Sequence, residues 1–329
     1  MLRRQDVGHR VVVRRIVGIR EDRPLFSDAL GELVDLSETE LTLATAAGPL
    51  RVPLREVHRA KRVPPARRPT AAAVIAVEQA ANEAWPAPVQ DRLGDWLLRA
   101  ADGWTGRGNS ALPIGDPDRP LDAAIDAVEQ WYRDRGLRPL INTPLPLAAP
   151  VNAALDARGW DTLPLVLVQT VTLTDLLAAT DPPGGPERQL PPVTLTPEPS
   201  PEWLTMVSAR KGTLPAAALH VLTAVGQVRF AHVYDRGGRL VAVTRASVTG
   251  NGRWLGVTLV EVLPEARRQG LARHVVRAVA RWAADLGATH ALLQVEEPNT
   301  AAVALYGRLG FTTHHTYLTR AAPEPPGAP

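Results

Sequence analysis

The chain has 329 residues, 45% apolar and 22% charged, with a formal net charge of +3, a size for two or three domains and a composition of ordinary globular type. It has no cysteine, which excludes disulfides, thiolate zinc sites and any acyl-cysteine intermediate. No run of about 18 apolar residues occurs and the start, Met1-Leu2-Arg3-Arg4-Gln5-Asp6, lacks an apolar leader, so no membrane partner is expected and the cytoplasm is the expected compartment.

Residues 1–63 carry short strand patterns at 10–15, 29–35, 40–45, 50–53 and 58–63, punctuated by Ala47-Gly48-Pro49 and Pro53. Five strands at this spacing predict a small SH3-like β-barrel. Its only aromatic residue is Phe26, which is too few for the aromatic walls of a polyproline groove. Residues 1–70 hold 14 Arg or Lys against 9 Asp or Glu. That excess leaves the barrel as a structural appendage or as a docking module for a protein partner, and the small net charge of the whole chain argues against nucleic acid.

Proline-rich linkers are expected at 64–69 and 181–201. Between them, 95–101 and 104–112 read as a hairpin turning at Asp102-Gly103. A helix at 121–135 capped by Gly136 follows, then a strand near 139–142, a helix ending in Arg158-Gly159-Trp160 and a strand at 165–173. Gly106-Arg107-Gly108-Asn109 has the look of a phosphate loop, but without dinucleotide spacing or a following helix it reads as a hairpin-end loop.

The most informative stretch comes later. A strand at 254–262 breaks into Leu263-Pro264-Glu265-Ala266-Arg267-Arg268-Gln269-Gly270 and opens directly into a helix at 271–286, whose apolar positions recur at helical spacing. The first amides of a helix lack internal partners and carry the positive end of its dipole, so Gly270 would let an anion approach them. A strand at 291–295, a helix at 300–309 and a final strand at 313–319 complete the pattern.

The order Arg267, Gly270, Ala272 resembles the acyl-CoA loop of the GNAT N-acetyltransferase family. Asn299, Ala302, Leu305, Tyr306, Gly310 and Phe311 match a second set of residues of that family in the same order. The resemblance covers 190–322 and implies a mixed α/β (α+β) fold there, the GNAT acyl-CoA N-acyltransferase fold. Arg158-Gly159-Trp160 parallels Leu309-Gly310-Phe311, so 70–180 is expected to be a degenerate GNAT-like domain of a tandem pair behind the 1–63 barrel. Asp116-Pro117-Asp118-Arg119-Pro120 would repel phosphate and remove donors where a loop should bind it, and Leu155 stands where Tyr306 stands in the second half.

The resemblance further implies acetyl-CoA as cosubstrate, no metal, and direct acetyl transfer to an amine in a ternary complex. Val262 and Glu261 would pair with the pantetheine arm through their backbones. Arg267, Arg268, Gln269, Gly270, Leu271 and Ala272 would hold the pyrophosphate, with side-chain charge from Arg267, Arg268 and Arg273. Asn299 would orient cofactor or substrate or serve as a helix cap. Tyr306 would protonate the leaving thiolate. Some relatives carry a glutamate base at the position of Gln294, which cannot hold a proton, so Glu261 is the expected base and Glu296 the alternative. His314 and His315 are expected on opposite strand faces. Trp203, Arg210, Lys211, His220 and Trp254 are candidates for the acceptor side. The competing function is a non-catalytic acyl-CoA sensor acting through the basic barrel.

Overall fold

The computed structural model describes residues 2–20, 23–45, 48–63, 69–180 and 190–324. Residues 64–68 and 181–189 of the expected linkers lie outside them, and the rest of the second linker is not one, since 193–196 form a strand of the main sheet. Two compact units result, Met1–Arg68 and Pro69–Pro329.

The first unit is an antiparallel sheet of β1 (Arg10–Arg20), β2 (Arg23–Leu36), β3 (Glu40–Thr45), β4 (Gly48–Pro53) and β5 (Val57–Arg62), ordered β4-β3-β2-β1-β5. Its core is the inward set of alternating residues, with Val11, Val13, Leu33, Leu43 and Val52 fully buried. A side chain at Gly31 would come within 2.5 Å of the Ala44 carbonyl oxygen, which explains the glycine in mid-strand. The five expected strands are present. No ladder joins β4 to β5 among the described residues, so closure into an SH3-like barrel is not seen.

The second unit runs α1 (Ala71–Glu83), β6 (Val89–Leu93), β7 (Trp96–Ala100), α2 (Leu121–Arg133), β8 (Leu140–Leu145), α3 (Ala149–Ala157), β9 (Asp161–Thr162), β10 (Val166–Thr172), α4 (Leu173–Thr180), β11 (Val193–Thr196), α5 (Pro201–Lys211), α6 (Ala216–Thr223), β12 (Val228–Tyr234), β13 (Leu240–Thr249), β14 (Trp254–Val262), α7 (Leu271–Asp285), β15 (His290–Glu296), α8 (Thr300–Arg308) and β16 (Thr312–Ala321). Nine strands form one sheet in the order β11-β12-β13-β14-β15-β10-β16-β8, with β9 paired to β16. Strand β10, from the first half of the sequence, therefore lies between β15 and β16 of the second, with Val168 opposite both Gln294 and His315. One continuous sheet crosses the 180/190 division.

Alternation along β15 assigns the two sheet faces. Leu292 packs with Ala80 and Ala81 of α1, whereas Ala291, Leu293 and Val295 pack with Val275, Val276 and Val279 of α7. Burying Leu271 and those three valines contributes about 1.5–3 kcal/mol per side chain, more than helix propensity could supply to this valine-rich segment. Helix α1 starts on Thr70, whose hydroxyl accepts the Ala73 N–H at 3.2 Å. It is tied to β13 by Thr249 Oγ1 donating to the Ala80 carbonyl (3.0 Å) and by Arg245 donating to that of Ala84 (2.9 Å).

Two local expectations change. The hairpin pairs β6 with β7 and turns at Gly94-Asp95, not at Asp102-Gly103. Of the expected partner strand 104–112, Leu112 pairs with Leu97 through two backbone bonds (2.8 and 3.2 Å), while before it Asn109 Oδ1 takes the N–H groups of Ala101 (2.8 Å) and Gly103 (2.9 Å) and the chain loops. His314 and His315 do not diverge either. A bulge opposite Val168/Gln169 brings their Nδ1 atoms to 2.9 Å, and His315 Nε2 meets the buried Glu78 carboxylate of α1 at 2.7 Å.

Candidate active site

Strand β14 pairs with β15 only at Trp254, Leu255 and Gly256, after which the two parallel strands separate. The cause lies within β14. Its register with β13 slips between Thr258 and Glu261, and Leu259 has a left-handed φ of 54°. The bulge swings the rest of β14 away and opens a wedge. Because the Leu263 N–H bonds the Val241 carbonyl (3.0 Å), ladder alternation turns the Glu261 backbone toward β13 and the Val262 N–H and C=O into the wedge. Of the two residues expected to pair through their backbones, Val262 turns its N–H to the wedge, its carbonyl also taking a bond from Arg267, and Glu261 is turned to β13.

The wedge leads to the start of α7. Arg268 (φ 62°) and Gly270 (φ 89°) are both left-handed, which draws successive N–H groups into a concave array. Gly270 is the N-cap and offers no side chain to the first turn, so its amides remain open to an anion. Arg267 donates Nε–H to the Val262 carbonyl at 3.2 Å and so bridges the loop to the split strand.

One cavity of about 2010 Å3 takes in the wedge and the loop. All the site residues expected from the sequence line it: Glu261, Val262, Arg267, Arg268, Gln269, Gly270, Leu271, Ala272, Asn299 and Tyr306. Glu296 and Gln294 line it too. Its size exceeds the ~300–1,000 Å3 usual for one small ligand and is sufficient for two reactants.

Tyr306 projects from α8 against Phe311, whose N–H closes the helix on the Tyr306 carbonyl (3.0 Å) after Gly310. Burial, reinforced by the Glu261 charge, pushes the Tyr306 phenol up to about 12, so it stays protonated at neutral pH. Glu261 is held by Arg210 of α5, whose guanidinium nitrogen lies 2.7 and 2.6 Å from the two carboxylate oxygens. Asn299 caps α8, its Oδ1 accepting the Ala302 N–H at 3.3 Å, and the residue lines the cavity. Gln294 Oε1 accepts the Tyr317 hydroxyl at 3.2 Å.

Among the acceptor-side candidates, Arg210 reaches the cavity. Trp203 is a core residue edge-on to Phe230, Trp254 packs under α1, and His220 is exposed. The Lys211 side chain lies outside the description. In the first half, α2 begins at Pro120 without a side-chain cap and with Asp122 in its first turn, and Leu155 is fully buried in a separate core. That half nonetheless supplies part of the cavity wall through Trp85, Thr105 and Arg107. Sequence reasoning missed these residues because the loop that carries Arg107 reads as a simple turn.

The protein family described as "Probable histone acetyltransferase Rv0428c C-terminal" matches residues 71–319. The probable histone acetyltransferase Rv0428c of Mycobacterium tuberculosis is 33% identical over 253 residues, which cover 74% of this chain and 72% of that protein. The chain belongs to this family of GNAT acetyltransferases. The GNAT fold is shared with a GCN5-related N-acetyltransferase from Kribbella flavida at a TM-score of 0.56 and 20% identity, covering 79% of this chain and 98% of that one. A tandem GNAT protein from the clavulanic acid biosynthesis pathway matches at 0.50 and 19% identity, covering 79% and 91%. This GNAT protein is an acyltransferase.

Proposed function

We propose that the enzyme transfers the acetyl group of acetyl-CoA to a primary amine by direct attack in a ternary complex. The observation that carries this reading is the wedge between β14 and β15, which ends at the uncapped start of α7 and contains Tyr306 in the same cavity. The pyrophosphate sits on the amides of 268–272, and the Val262 backbone pairs with the pantetheine amides. The amine nitrogen attacks the thioester carbonyl carbon. An N–C bond forms, the developing oxyanion takes a backbone N–H of the split strand, and the C–S bond breaks. Tyr306 gives its proton to the thiolate. An amine of ordinary pKa near ~10 must first lose a proton, and Glu261, directly or through a water, receives it while Arg210 fixes the carboxylate.

Titration of acetyl-CoA and CoA into the whole protein, with thiol release followed over an amine panel, tests the reading. Micromolar binding weakened at least ~30-fold in Gly270→Glu, which places a carboxylate against the phosphates, is the expected result. Absence of binding to the wild type would overturn it. Binding with no thiol release on any amine would favour the sensor alternative.

A further inference from the structure

On the α1 face of the sheet, away from the α7 helix start, the cavity is lined by Trp85, Thr105, Arg107, Gln294 and Tyr317. Arg107 lies over the Trp85 ring, 5.3 Å from its centroid, and its Nε is sealed from solvent without an acceptor. Among the described residues no carboxylate pairs with it. Gln294 is in the same condition on the facing strand: Tyr317 occupies its oxygen, and its Nε2 is buried without a partner. Arg107 and Gln294 therefore line one recess, each with a side-chain donor that no protein group takes up.

The charge around them is unbalanced. Arg99 and Arg245 are buried close by, but both spend their donors on the protein. Arg99 binds the Ser110 carbonyl, the Ser110 hydroxyl and Asn82, and Arg245 binds the carbonyls of Leu222, Ala84 and Val221. The nearby carboxylate, Glu78, is engaged by His315. Burial lowers the pKa of all three arginines, and the Arg107 charge lowers Arg99 and Arg245 further, so a bound anion would offset a cost that the protein leaves in place. Asn109 fixes the loop, its Nδ2 donating to the Thr105 carbonyl at 2.8 Å, so Arg107 is presented rather than swept through solvent. One planar guanidinium with one neutral amide suits a carboxylate, whereas a phosphate dianion calls for several cations or an array of N–H groups.

We propose that Arg107 and Gln294 form a carboxylate subsite, so that the acceptor is a small amino-acid-type molecule carrying a primary amine and a carboxylate. The inference rests on the acetyl-transfer reading above. Arg107 is half-buried with Trp85 against its guanidinium, so a partner reaches it from inside the cavity, where a small molecule fits. The bound acceptor presents its amine toward Tyr306 and Glu261 and its carboxylate toward α1.

The test uses matched pairs, an amino acid and its decarboxylated amine, assayed by thiol release with the full-length protein. The expected result is a wild-type preference for the carboxylate member, with Arg107→Met raising its KM and lowering its kcat/KM at least ~30-fold, as befits a charged hydrogen bond. The decarboxylated member changes less than about threefold, and acetyl-CoA affinity is retained. Equal use of both members by the wild type, or equal loss on both in the variant, would overturn the subsite. Calorimetry of N-acetylated amino acids against the protein–CoA complex reads the recess without turnover. Binding weakened at least about tenfold by Arg107→Met, or by Gln294→Met where the arginine variant fails to fold, supports the subsite even if catalysis is absent, and unchanged binding refutes it.

Discussion

At the residue scale, the proposed chemistry turns on one hydroxyl. Tyrosine is an ordinary residue near the end of a helix, but burial and the Glu261 carboxylate raise Tyr306 to about 12. Tyr306→Phe keeps the ring against Phe311 and removes only the hydroxyl proposed as the acid. It is expected to lower kcat by ~10²–10³-fold while acetyl-CoA affinity, read by calorimetry, stays within about threefold. A parallel loss of affinity would instead make the hydroxyl a binding group. Glu261 shows the opposite relation between residue type and setting. The sequence offers a strand glutamate, which is more often paired than catalytic, and the structure pairs it with Arg210 while leaving it in the cavity.

At the element scale, the loop before α7 works through backbone conformation. Arg268 is exposed and left-handed, a state that costs a non-glycine residue ~1–2 kcal/mol. Arg268→Gly removes that strain against about 0.5–1 kcal/mol of added backbone entropy, so thermal unfolding should rise by ~1–3 °C. If the amides hold the pyrophosphate, acetyl-CoA affinity in this variant stays within about threefold, and a tenfold loss would reassign the contact to the guanidinium. The bulge in β14 is a second such device. Leu259 holds a positive φ although it is not a glycine, and its reward is the open strand edge beside Val262.

At the scale of the whole molecule, the two halves of the second unit are interdependent. Strand β10 supplies ladder partners to both β15 and β16, and α1 contributes Glu78 to the buried contact with His315. Residues 190–324 expressed alone are therefore expected to lack cooperative unfolding by circular dichroism, and a sharp transition in that fragment would contradict the shared sheet. Stability should also depend on pH in a definite way. Tyr306 and Tyr317 are raised by burial to about 12, so their protonated forms favour the fold fully below the ordinary value near 10, and that stability is lost as pH rises from there through 12. His232, His290 and His314 are lowered by burial, so their contribution is present above the ordinary value near 6.5 and lost as pH falls below it. Thermal midpoints should form a plateau between about 7 and 10, with the alkaline limb shallower in Tyr317→Phe.

The local pattern determined what depends on neighbours in the chain. The loop from Arg267 to Ala272, the helix that follows it, the Asn299 start and Gly310 end of α8, and the strand at 254–262 all follow from capping, periodicity and turn chemistry within about ten residues. Contacts that join distant segments were decided only by the tertiary structure. The sequence of 166–172 does not show that it will lie between β15 and β16, nor does Gly106-Arg107-Gly108 show that its arginine will close the far wall of the cavity. Those outcomes depend on which surfaces bury each other once the sheet is assembled, and burial belongs to the packed chain rather than to any one stretch of it.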